Sequence, residues 1–362
     1  MDWFSDSCDA PAGFAGTLAK WYRHHHRDLP WRQTQDPYLI WLSEVILQQT
    51  RVVQGRPYYE RFAQTYPTVQ EMADADERDL LRLWQGLGYY SRARNMHQTA
   101  RYVAGELGGR FPDNFRGLLK LRGIGEYTAA AIASFAFGER VAVVDGNVYR
   151  VLARIFGIEE DITTTSARKT FQALAGRLIQ EAGDPAIHNQ AMMEFGAIQC
   201  TPVSPDCLLC PFQQQCSAFL TGRQHRLPVK SRKGAVRERY FNYLVIRQGE
   251  AVAMKERREK DVWQNLYDFC LVETDQPAEA FRELPEGELL NWVLREGILS
   301  GLSDERTQVL SHQKIRARFW LVEIPEGRKV DLPEGVTFCK PSETERLPKP
   351  ILIADYLKSL GF

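Results

Sequence analysis

The sequence predicts two domains, an all-α domain followed by a smaller α+β domain, and three observations carry that prediction. The chain has 362 residues, long enough that two hydrophobic cores are expected before one. Through residue 222, apolar side chains recur at helical spacing between Gly and Pro breakers. After Arg239 the texture turns to short β-prone runs. In the first region Leu80, Leu81, Leu83 and Trp84 share a helix face before the breaker Gly86-Leu87-Gly88, and Thr128 to Ala136 and Val148 to Phe156 are equally helical. In the second, Tyr240 to Ile246, Val252 to Met254, Phe269 to Val272 and Ala317 to Val322 read as strands, with Glu286 to Arg295 helical between them. The expected boundaries are 1–222, a linker over 223–239, and 240–362.

Charge is balanced overall, with 46 basic and 46 acidic residues, so total charge points to no polyanionic partner. Its distribution says more. Residues 1–222 hold 22 basic and 24 acidic groups, whereas 223–239 hold seven and one. A solvated linker and a phosphate-contacting segment both fit that run. No stretch resembles a membrane span, and the first residues lack a basic leader before an apolar core, so a cytoplasmic chain is expected. Seven cysteines in a chain of this length are no disulfide framework, and four crowd into one segment.

Those four follow the spacing Cys200-x6-Cys207-x2-Cys210-x5-Cys216, close enough to wrap one metal centre. Zinc competes with a [4Fe–4S] cluster. A zinc ribbon pairs two Cys-x-x-Cys knuckles, and this pattern has only one, which favours the cluster. At this point the chain resembles the endonuclease III superfamily of DNA repair glycosylases. The resemblance implies that the cluster braces a basic loop toward DNA and is not the catalyst.

Leu121 to Ala129 contains Gly123-x-Gly125 ahead of a helix. Glycines permit a tight turn, and the helix start leaves N–H groups pointing outward, an anion site for a DNA phosphate. An ordinary interhelical turn is the plain alternative. The segment resembles the superfamily's helix-hairpin-helix, with Arg122 in place of the usual proline. In Val141 to Arg150, Asp145 ends an apolar run just before a helix. Taken alone it is a helix cap. The run Val-Asp-Gly-Asn-Val-x-Arg resembles the family segment whose aspartate faces the sugar of the flipped nucleotide. A carboxylate there stabilises positive charge on the sugar or traps it covalently, with Asn147 as helper.

Arg27-Asp28-Leu29-Pro30-Trp31-Arg32 and Trp41 to Thr50 decide among family members. Glu44 lies between apolar residues on a predicted helix, which would desolvate it and raise its pKa; a surface carboxylate is the base-rate alternative. The wording around it resembles the adenine glycosylase branch, in which this glutamate protonates N7 so that adenine leaves as a neutral base. Superfamily members that also cut the backbone place a lysine where this chain has Tyr127. The resemblance therefore implies a monofunctional enzyme that leaves an abasic site, with Tyr127 bonded to Asp145 or Asn147. The alternative is a bifunctional glycosylase and lyase acting on damaged pyrimidines.

The same resemblance assigns base reading to Gln190, whose amide suits the adenine edge. A helix-surface glutamine is the plain alternative. Arg27, Trp31 and Arg32 are implied to line the pocket and orient the glutamate. Gln49 and Tyr89, with Thr50 and Leu87 beside them, are implied to wedge into the base stack. The C-terminal region resembles the Nudix-like domain with which adenine glycosylases recognise 8-oxoguanine. It lacks the paired glutamates of a hydrolysing Nudix box, so it should bind without cleaving. Asn265 stands where relatives have glycine, Leu310 where they have phenylalanine, and Ser311 at the position implied to contact oxidised guanine. The expected partner is duplex DNA carrying adenine opposite 8-oxoguanine or guanine, with the protein a monomer.

Overall fold

The computed structural model describes residues 13–231, 236–310 and 312–362. In chain order its helices are α1 (Phe14–His25), α2 (Pro37–Leu47), α3 (Val52–Thr65), α4 (Val69–Asp74), α5 (Glu77–Leu83) and α6 (Ser91–Glu106). They continue with α7 (Phe115–Leu118), α8 (Glu126–Phe137), α9 (Gly146–Phe156), α10 (Thr165–Gln180), α11 (Pro185–Glu194) and α12 (Ser217–Leu220). Strands follow as β1 (Arg237–Gln248), β2 (Ala251–Glu256), β3 (Tyr267–Asp268) and β4 (Cys270–Thr274). After α13 (Glu288–Glu296) come β5 (Ile298–Leu302), β6 (Arg306–Val309), β7 (Gln313–Glu323) and β8 (Val336–Cys339), then α14 (Pro341–Arg346) and α15 (Ile351–Ser359).

The chain divides into two compact units, Met1–Asp74 with Gln98–Lys233, and Ala75–His97 with Gly234–Phe362. The expected boundaries need two amendments. Segment 75–97, read as part of the helical domain, groups with the sheet because its anchors lie there: Asn265 donates to Glu77 and Arg94 to the Gln264 carbonyl. The stretch read as a linker is also structured at its ends. The Val229 carbonyl accepts from Ile162 N–H, and Arg237 and Arg239 already belong to β1.

In the helical unit the framing helices begin on side-chain caps. Asp36 caps α2, Asp145 caps α9 and Asp184 caps α11, with proline at the first helical positions of α2 and α11. Helix α9 buries Val148, Val151, Leu152 and Ile155, the i, i+3, i+4, i+7 face that periodicity marks. Each such side chain contributes roughly 1.5–3 kcal/mol through removal from water. They pack on a core where Phe14 stacks on Phe212 at 4.9 Å and Phe195 meets Phe212 edge-on at 5.5 Å. Among the described residues no helix is long and apolar enough to cross a membrane.

The second unit is built on one mixed sheet of order β3-β2-β1-β7-β5, with β4 also on β1, β6 on β7 and β8 on β2. β1 and β7 run parallel from Arg237↔Gln313 to Arg247↔Glu323, and the other pairings are antiparallel. β1 is buried on both faces from Phe241 to Ile246, and β7 is apolar on both faces from Phe319 to Val322, where the sheet is covered on each side. On one face Tyr356 of α15 stacks on Phe319 at 3.8 Å; on the other, Trp292 and Val293 of α13 join Trp320 in the core.

Candidate active site

Helix α2 is apolar nearly all round, so it is enclosed, and Glu44 is carried inside with it at 6 % exposure. The carboxyl opens on a cavity of about 190 Å³ lined also by Tyr127, Asp145 and Asn147. Burial pushes the Glu44 pKa up to about 7; the Asp145 charge adds to the rise, while a hydrogen bond from Tyr127 and the Arg32 charge oppose it. The Tyr127 hydroxyl donates to Met193 Sδ at 3.5 Å and lies close to the carboxyls of both Glu44 and Asp145. α2 packs against α8, and that brings Glu44 and Tyr127 together.

Asp145 is held by both of its oxygens. One accepts from the Val148 N–H at 2.8 Å as the cap of α9, and the other accepts from Asn147 Nδ2 at 2.7 Å. Enclosure by protein raises its pKa, and these two donors pull the other way. The cap thus fixes where the carboxylate points and does not compete with a role in the cavity. Asn147 is itself gripped by Arg150, whose Nη2 donates to its Oδ1 at 2.8 Å and to the Gly196 carbonyl at 2.7 Å. A Cβ on Gly196 would lie 2.6 Å from that of Asn147, so only glycine admits the approach. The apolar run ahead of Asp145 forms no strand. Asn189 of α11 ties it down, accepting from Val143 N–H at 3.0 Å and donating to the Val141 carbonyl at 2.9 Å.

Arg27, Trp31, Arg32, Thr50 and Gln190 also line this cavity. The two arginines do not orient Glu44 directly. Both bind Glu194, Arg27 through Nε at 2.8 Å and Nη2 at 2.7 Å, Arg32 through Nη2 at 2.7 Å. Burial alone would raise the Glu194 pKa, but the arginine hydrogen bonds outweigh it and hold it at about 2. Sequence reasoning missed Glu194, Asn189 and Arg150. For Glu194 a signal existed, a carboxylate one turn beyond Gln190 on the same helix. Gln190 accepts from the Tyr22 hydroxyl at 2.7 Å. Trp31 meets Tyr59 edge-on at 5.2 Å.

The remaining predicted contacts lie elsewhere. Gln49 sits exposed at the end of α2 with φ 56, a left-handed backbone. Leu87 and Tyr89 belong to the other unit. Leu87 is 6 % exposed, whereas Tyr89 is 47 % exposed with φ 48. Ser311 lies outside the described residues. Gly123 turns the hairpin at φ 74, and Gly125 starts α8 with no side-chain cap, leaving both glycines exposed.

Cys200, Cys207, Cys210 and Cys216 are free thiols. Burial lifts the Cys210 pKa to about 12, and the charges of Cys200, Cys216 and Cys207 each add to the rise, so the four sulfurs share one neighbourhood. Arg154 Nη1 donates to Cys200 Sγ at 3.3 Å. Among the described residues, no three His, Cys, Asp or Glu side chains converge as ligands of a single ion. Basic groups of the following stretch are already engaged: Arg223 with Glu159, and Arg239 with Asp261 and Glu273.

Residues 42–177 match the HhH-GPD superfamily of base excision DNA repair proteins. The adenine DNA glycosylase of Buchnera aphidicola from Schizaphis graminum is 35 % identical over 257 residues, 71 % of this chain and 74 % of that protein. The human adenine DNA glycosylase is 43 % identical over 233 residues, 62 % of this chain but 42 % of the human protein. Among solved structures, a thermostable thymine-DNA glycosylase aligns with TM-score 0.53 at 31 % identity, covering 58 % of this chain and 96 % of that one. A trapped endonuclease III–DNA covalent intermediate shares the fold, with TM-score 0.50 at 23 % identity over 57 % of this chain and 94 % of that chain. The chain belongs to the adenine DNA glycosylase family, within the helix-hairpin-helix superfamily of base excision repair proteins.

Proposed function

We propose that this protein removes adenine from duplex DNA where it lies opposite 8-oxoguanine or guanine, breaking the N-glycosidic bond with water and leaving an abasic site. The single observation that carries this is a buried glutamic acid, Glu44, with its pKa raised to about 7, sharing one cavity with the tethered carboxylate of Asp145. The chemistry needs both. Glu44 delivers a proton to N7 of the extruded adenine, which departs as a neutral base, and Asp145 faces the sugar as cationic character develops at C1′. Tyr127 sits where a lyase would need an amine, and a phenol forms no Schiff base. Gln190, its oxygen oriented by Tyr22, presents an amide to the purine edge.

The exposed Gly123 and Gly125 turn and the uncapped start of α8 would receive a phosphate of the DNA. Cys200, Cys207, Cys210 and Cys216 would hold a [4Fe–4S] cluster; four neighbouring thiols with an arginine against one of them suit a group ligated by thiolates. When bound, such a cluster supplies structural bracing to the loop. The sheet unit carries a cavity of about 450 Å³ walled by Tyr89, Trp263, Leu310 and His312, and in the Nudix-like reading it receives the base opposite the target adenine.

A single-turnover assay of adenine release opposite 8-oxoguanine, guanine and thymine tests substrate and partner base together. The expected order is 8-oxoguanine, then guanine, with thymine inert. Borohydride should trap no covalent adduct on abasic duplex; efficient trapping overturns the monofunctional assignment. Visible absorbance with matched iron and sulfide content in the purified protein checks the cluster.

A further inference from the structure

Tyr89 sits on a loop whose backbone is wound left-handed, φ 48 at Tyr89 itself, a conformation that non-glycine residues hold only when their surroundings impose it. Arg92 secures the loop locally. Its guanidinium lies 4.9 Å from the Trp84 ring and 5.5 Å from that of Tyr89, and Nη2 reaches the carbonyls of Leu87 and Gly88, both at 3.3 Å. The loop is also fastened to the sheet. The Tyr90 hydroxyl donates to the Lys349 carbonyl at 3.2 Å, and Gln85 Oε1 accepts from the Lys349 N–H at 3.4 Å.

A second left-handed loop lies opposite. Between β2 and β3, Trp263 has φ 62 and Asn265 φ 64, and Asn265 N–H donates to the Arg257 carbonyl at 2.7 Å. Two hydrogen bonds of 2.7 Å join the loops' neighbourhoods: Arg94 Nη1 to the Gln264 carbonyl, and Asn265 Nδ2 to Glu77 Oε1. A left-handed turn at 265 needs only glycine or asparagine, so the turn does not explain the amide reaching Glu77. Trp263 and Tyr89 then wall the same cavity.

We infer that Asn265–Glu77 and Arg94–Gln264 form a clamp that sets the position of Tyr89, making Asn265 and Arg94 positioning residues for discrimination of the opposite base. The inference rests on the reading that this cavity receives that base. Neither residue need touch DNA. The clamp fixes how far the Tyr89 ring stands from the Trp263 and Leu310 wall, and so which base edge fits between them.

Asn265→Gly is the decisive variant in the full-length protein, because it keeps the turn and removes only the amide. The ratio of adenine release rates opposite 8-oxoguanine and opposite guanine should fall about three- to tenfold, the size of one ordinary hydrogen bond. The rate opposite guanine should stay within about twofold, since the catalytic cavity is untouched. Glu77→Gln, which retains an accepting oxygen, should behave like the parent. Asn265→Gly combined with Glu77→Ala should be no worse than the stronger single variant. Amide hydrogen exchange over residues 85–90 should quicken in Asn265→Gly. An unchanged rate ratio in a parent that does discriminate, or unchanged exchange, overturns the clamp. A parent with equal rates opposite both bases overturns the opposite-base reading instead, and the exchange measurement still decides the clamp.

Discussion

The cavity around Glu44 and the cavity beside Tyr89 are built in opposite ways. In the helical unit the polar groups of the wall have lost their freedom: Asp145 is held by Val148 N–H and Asn147, Asn147 by Arg150, and Arg27 and Arg32 by Glu194. In the sheet unit the walls are Tyr89, Trp263, Val309 and Leu310, with Asp261 already paired to Arg239 and Arg257. The first holds buried acids at shifted pKa, as bond-breaking demands. The second presents aromatic and aliphatic side chains, which suit the stacking proposed for it. Chemistry and discrimination are therefore separable, and substitutions in the two units should fail in different ways.

The largest effect should come from Glu44→Gln or Asp145→Asn, each lowering base release by at least about 10³-fold in single turnover while duplex affinity stays nearly intact. Turnover at the parent rate by either variant would break the assignment of chemistry to the helical unit.

Next is Glu194→Ala. It removes the shared partner of Arg27 and Arg32, whose side chains are 39 % and 12 % exposed against 0 % for Glu194, and should cost roughly 3–5 kcal/mol in denaturant unfolding. No comparable loss is expected for the exposed Arg56–Glu60 pair, about half exposed on both sides.

Titration sharpens the contrast further. Glu44 must be protonated to act, so the rate should fall as pH rises through about 7. Its folded pKa lies above the ordinary 4.5, so the folded state binds the extra proton, and its contribution to stability declines as pH climbs from about 4.5 to about 7. Glu194 runs the other way. With its pKa held at about 2, its stabilisation is present above about 4.5 and is lost as pH falls toward 2. Glu44→Gln should abolish the first dependence and spare the second in pH-resolved unfolding.

Smallest is Leu310→Phe, which enlarges the stacking wall of the sheet cavity. It should raise preference for 8-oxoguanine over guanine only a few-fold, equivalent to about 0.5–1.5 kcal/mol, with the rate opposite guanine unchanged. A change in the chemical step itself would show that the units are not separable.

Much of this was legible in the residue order. Period and breakers marked α8, α9 and the β-prone runs because each is a local pattern, and Asp145 carried its cap signal next door. Glu44 was readable because Trp41, Val45 and Leu47 surround it within one helix, which announces burial. Less visible were partners distant in sequence. Glu194 answers arginines more than 160 residues away, and Tyr127 comes near Glu44 only because α2 lies on α8. The grouping of 75–97 with the sheet rests likewise on bonds to residues 264, 265 and 349, which no local pattern foretells.

By itself the sequence determined the two-part architecture, the four-cysteine segment, the apolar setting of Glu44 and the capping position of Asp145. These depend on side-chain type and short-range spacing, which the chain states directly. Only the tertiary structure decided which charge answers which, that Glu194 and not Glu44 takes the arginines, and that Tyr89 stands on the sheet unit. Such matters turn on which distant groups meet away from water, where an unpaired charge is too costly to keep.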